Sequence, residues 1–138
     1  MGFQINLDSL LHGWATLSFF GPYGDCSVAC SYVPADSLED LIQGAIRLLD
    51  HRNSEIMFYL EPDMLALILK STGDSEFSAE IANVRFYGTK TRLARQVLKI
   101  FDDYVFRYGY ESYETNWGHP FPHRSLTILR ECLHQKTN

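Results

Sequence analysis

Cysteine is scarce in this chain, with Cys26, Cys30 and Cys132 the only three in 138 residues. An odd number argues against a disulfide framework. Cys26 and Cys30 are four apart in a strand-like stretch, which puts them on one face but roughly 13 Å apart, too far to bridge. Small buried thiols are the expected reading. Long apolar runs are missing as well, and nothing approaches the ~18 uninterrupted apolar residues of a membrane helix. The opening MGFQINLDSL has no basic stretch leading into an apolar one, so no secretory signal is expected. Asn6 stands where a myristoylation motif has Ser or Thr. The expected location is the cytoplasm. Repeats, low-complexity tracts and linkers are absent, so residues 1–138 are read as one α+β domain large enough to bury a real core.

Familiar catalytic patterns are lacking too. There is no P-loop, no dinucleotide-binding glycine pattern, no G-x-S-x-G, no H-E-x-x-H and no C-x-x-C. His119 and His123 lie four apart in HPFPH, but Pro120 and Pro122 forbid the regular helix that would let them share a metal. No spacing supports a Cys/His nucleophile pair. The neighbours Glu39–Asp40 and Asp102–Asp103 point about 100° apart on a helix, so neither makes a shared-proton dyad. No catalytic residue, no metal and no cofactor is expected.

What is present is an uneven charge. The net charge is −5. Residues 1–87 hold twelve Asp/Glu against four Lys/Arg, and residues 88–138 hold five against eight. The acidic part speaks against nucleic-acid binding, which wants a basic face, and permits steering toward a basic partner.

The chain then reads as alternating elements. FQINLD (3–8) and WATLSFF (14–20) are strand-like, and GPYGD (21–25) is a turn. CSVACSYV (26–33) is the returning strand of a hairpin. Asp36 is placed to cap a helix, with Glu39 as its capping-box partner. Leu38, Leu41, Ile42, Ala45, Leu48 and Leu49 recur at helical spacing through residue 50. Three strands follow at 55–61, 64–71 and 76–87, the last with a phase slip near Ala82–Asn83 that reads as a bulge. Residues 89–108 carry the clearest helical stripe, from Leu93 through Tyr104, Val105 and Tyr108, with Lys90 on the outer faces and Gly109 as the C-cap. A last helix is expected over 123–134. The predicted order is β-β-β-α-β-β-β-α-α, a two-layer sandwich in which helices cover one face of a mainly antiparallel sheet of about six strands.

Between the last two helices stands GYESYETNWGHPFP, residues 109–122. Tyr110, Tyr113, Trp117, His119 and Phe121 sit there, in a segment read as having no helical or strand period. Large rings in such a segment are expected to be glue buried against the rest of the fold, with an aromatic contact patch as the alternative.

This stretch resembles the C-terminal end of a family of small, uncharacterised bacterial proteins with a long helix and a G-Y-x-x-Y-x-x-x-W-x-x-x-P-F-P segment. VACSYVPADSLEDLIQGAIRLL is similar to an upstream segment of that family. The family has no established activity, so the resemblance implies no catalytic residue. Size, acidity and the lack of motifs point by elimination to an immunity protein, as in contact-dependent inhibition systems. Such a protein binds the C-terminal domain of a cognate toxin and blocks its active site or substrate groove. The candidate contacts are Asp36, Glu39, Asp40, Asp50, Glu61 and Asp63, whose carboxylates suit toxin Arg or Lys. The rival readings are an interaction module, homodimeric through a sheet edge or the aromatic segment, and an enzyme with His119 as general base.

Overall fold

The structure is a computed structural model that describes residues 2–137. Two antiparallel meanders are separated by a helix. The first comprises β1 (Gln4–Leu11), β2 (Trp14–Gly21) and β3 (Gly24–Ser31). After α1 (Ser37–Leu49) come β4 (Ser54–Tyr59), β5 (Met64–Ser71), β6 (Glu76–Ile81) and β7 (Val84–Thr89). Among the described residues three helices follow: α2 (Lys90–Tyr108), α3 (Tyr110–Trp117) and α4 (His123–Thr137).

The α+β class and antiparallel pairing agree with the sequence reading. The single sheet of about six strands does not, because seven strands among the described residues form two sheets of three and four. One cause is residues 76–87. The expected bulge is a two-residue hairpin turn, with Ala82 at φ 50° and Asn83 at φ 64°. Two successive left-handed residues make the turn whose twist matches paired strands. The phase slip in the sequence is therefore a reversal of direction. A similar turn at His12 and Gly13, φ 55° and 78°, ties β1 to β2 and extends β1 to Leu11.

Period-2 alternation gives each sheet one apolar face. Ile5 pairs with Phe19 and Leu17 with Val28 across the first sheet, and Ile56, Leu67, Ala79 and Phe86 line the second. Phe rings join the two faces: Phe3 lies 5.4 Å from both Phe77 and Phe86, and Phe19 lies 6.3 Å from Phe58. α1 packs on β4 and β5, α2 packs on β1 and β7, and α4 covers α1 and α2. The predicted apolar stripe of α1 is buried throughout. In α2 the stripe is right through Tyr104, but Tyr108 is exposed. Lys90, expected outside, is buried. Its Nζ donates to Gly73 O at 2.6 Å and Asp74 O at 3.2 Å and meets His51 Nδ1 at 2.8 Å. Burial lowers its pKa.

The aromatic stretch also departs from expectation. Tyr110, Tyr113 and Trp117 are spaced i, i+3, i+7, and the segment forms α3 between Gly109 and Gly118. Gly109 at φ 85° closes α2, as read, and in the same stroke redirects the chain into α3.

Candidate protein-binding surfaces

The six candidate carboxylates fall in three places. Asp36, Glu39 and Asp40 lie at the start of α1, Asp50 at its end, and Glu61 and Asp63 in the turn between β4 and β5. Ser37 Oγ donates to Met57 O at 2.7 Å, so the start of α1 lies beside the end of β4. The turn bearing Glu61 and Asp63 follows directly, which gathers five of the six at one end of the fold. Asp50 is a helix length away, about 20 Å, and pairs with Arg52 at 3.0 Å.

Their environments differ. Glu61 and Asp63 are exposed, whereas Asp36, Glu39 and Asp40 are half-buried. Asp36 Oδ1 accepts the Glu39 amide at 3.1 Å, as a helix cap, and Trp117 Nε1–H at 2.8 Å. The reciprocal half of the expected capping box is not made. Glu39 Oε1 instead accepts from Ser125 Oγ at 2.5 Å, and its Oε2 is buried with no hydrogen-bond partner among the described residues. Burial raises the Asp40 carboxyl, the neighbouring charges of Asp36 and Glu39 add to this, and Arg47 opposes it.

The aromatic segment meets this acidic end through Trp117. Tyr113 and Trp117 are fully buried, and Tyr113 packs edge-on to Tyr104 at 5.8 Å and to Phe121 at 5.1 Å. Each buries on the order of 150–250 Å², a gross gain of about 4–6 kcal/mol. Burial pushes the Tyr113 hydroxyl up, and its oxygen has no partner among the described residues. Phe121 is half-buried against the core, while Tyr110 is exposed and rests on Phe121 and His123. His119 Nε2 donates to Tyr32 O at 2.7 Å, which leaves Nδ1 facing Asp36 Oδ2 at 4.0 Å. His119 and His123 thus turn to different neighbours. Among the described residues no three His, Cys, Asp or Glu come together as metal ligands, and no helix is long and apolar enough to cross a membrane. The three cysteines are unpaired, and burial pushes the Cys30 thiol up to about 12.

One feature has no counterpart in the sequence reading. A groove of about 630 Å³ runs along the outer edge of β1, from Asn6 to Leu11, with the C-terminal half of α2 as its other wall. Lys99, Asp103, Tyr104 and Arg107 face it from α2, and Ser112 and Asn116 close it from α3. Lys99 pairs with Asp103 at 3.0 Å, whereas Arg107 has no ion-pair partner among the described residues. Leu11 and Tyr108, both more than half exposed, mark one end. The basic residues of α2 look like an ordinary solvated face in sequence. Only the packing of α2 beside β1 makes them a wall.

Comparison with protein-family models, with curated proteins and with solved structures finds no match to this chain.

Proposed function

We propose that this chain is a non-catalytic immunity protein that binds a cognate bacterial toxin domain and occludes its active site or substrate groove. The supporting observation is the gathering of Asp36, Glu39, Asp40, Glu61 and Asp63 at one end of the fold, where the start of α1 meets the end of β4. Glu61 and Asp63 are the exposed pair, free to meet Arg or Lys of a basic partner. Asp36 and Glu39 serve the reading differently: they hold α1, α3 and α4 together behind that pair.

The test is co-expression with the C-terminal domain encoded immediately upstream of this gene, followed by size-exclusion chromatography. A stable one-to-one complex that silences a toxic activity is expected. An upstream domain that is harmless alone and elutes separately overturns the reading.

A further inference from the structure

β1 is an edge strand, and its outer side is treated in two different ways along its length. Near the start, α2 supplies partners. Arg92 Nε donates to Phe3 O at 2.7 Å, and Gln96 Oε1 accepts the Ile5 amide at 3.1 Å. Alternation along an antiparallel strand then turns the backbone of Leu7 outward as well. The next turn of α2 does not continue the pattern, since Lys99 and Asp103 bond to each other. The register shifts between Leu7 and Ser9, a bulge that bends the edge. Past it, the two-residue turn makes Leu11 and Trp14 the closing pair, which leaves the backbone amide and carbonyl of Leu10 on the outer edge while its side chain stays buried. Among the described residues nothing bonds the outward amide and carbonyl groups of Leu7 and Leu10. They open into the 630 Å³ groove.

We propose that this groove binds an extended segment of another protein, which adds to β1 as a fourth strand and places an acidic side chain against Arg107. Strand addition satisfies the idle backbone groups, as Arg92 and Gln96 satisfy those nearer the start. Side chains alternating along the added strand meet the small groove-facing parts of the otherwise buried Leu10, Ile100 and Tyr104 on one side, which calls for apolar residues at every second position. Arg107 is the one cation of the wall without a carboxylate among the described residues, and a bound Asp or Glu supplies one. A second copy of this chain is the poorer occupant. Its β1 would bring its own α2 to the same edge, whereas an extended peptide brings no helix. This site is separate from the acidic end, and it stands whether or not the neutralisation reading does.

The probe is a phage-displayed random heptapeptide library selected on the immobilised, purified chain. Selected peptides are then synthesised and titrated by fluorescence anisotropy. Enriched peptides with alternating apolar residues and an Asp or Glu are expected. Their binding is expected to slow hydrogen exchange at the Leu7 and Leu10 amides. Arg107→Glu is expected to weaken binding at least tenfold, with Arg107→Lys keeping most of it and the exposed Arg95→Glu changing nothing. Leu11→Lys, a charge on the open edge, provides a second variant that spares the core. No enrichment over the unselected library overturns the proposal. So does a bound peptide that leaves the amides of residues 7–11 exchanging as in the free protein.

Discussion

Trp117 donates its indole N–H to Asp36 across 2.8 Å, which joins α3 to the first turn of α1. The same carboxylate oxygen caps the helix through the Glu39 amide. Asp36→Ala therefore removes a cap, worth about 1 kcal/mol, and orphans a buried donor, worth about 1–3 kcal/mol. A loss of about 2–4 kcal/mol in urea unfolding is expected. Asp36→Asn keeps one side-chain oxygen and is expected to lose less than half as much. Equal losses in the two variants would show that the shared oxygen is not what matters.

Charge reversal separates scaffold from surface at the acidic end. Glu61→Lys with Asp63→Lys alters only exposed side chains, so the melting temperature is expected to hold within a few degrees. Affinity for a basic partner is expected to fall at least tenfold, and its salt dependence to flatten. Unchanged affinity in the doubly reversed protein would rule out an electrostatic contact there.

Asp40 gives a pH signature. Its folded-state pKa is raised above the ordinary 3.8, chiefly by burial. The folded state thus holds a proton that the unfolded state has released, and stability falls as pH rises through the window above 3.8. The cost is fully present at neutral pH and absent below the unfolded value. Asp40→Asn removes this dependence. The stability of the variant relative to the parent is expected to rise between acid and neutral pH, measured by urea titrations across that range. A flat difference would contradict the assignment.

Ala82 carries a left-handed backbone at φ 50°, which costs a residue with a Cβ roughly 1–2 kcal/mol. Asn tolerates that region and suits the first position of this hairpin turn. Ala82→Asn is expected to stabilise the protein by about 0.5–1 kcal/mol. A bulge, as the sequence reading had it, would show no such gain.

Thiol labelling reports the core directly. Cys30 is buried with its thiol pushed up to about 12, and burial also raises Cys26. Thiolate is the reactive form. At pH 8 the native protein is expected to label at the partly buried Cys26 slowly, and at Cys30 only on unfolding. Early labelling of Cys30, followed by mass spectrometry, would contradict its place inside the first sheet.

Local periodicity carried much of the fold. Alternation pointed to Phe3 and Ile5 as the inward side of the first strand, and the stripe of Leu38, Leu41, Ile42 and Ala45 set the buried side of α1. The helix of Tyr110, Tyr113 and Trp117 was legible too, since i, i+3, i+7 spacing is present, but neighbouring Gly and Pro masked it. The turn at Ala82–Asn83 was harder to read, because Ala is a poor left-handed residue and gives no signal for one.

By itself the sequence determined the buried stripe of α1, its Asp36 cap, the Gly109 stop of α2 and how the charge divides, because each depends on neighbours a few residues away. Only the tertiary structure decided that Asp36 serves Trp117, 81 residues on, and that α2 lies beside β1. It decided too that α2 stops capping that edge after Ile5. These follow from how two sheets and four helices share one core, a packing problem whose solution couples residues that no local pattern connects.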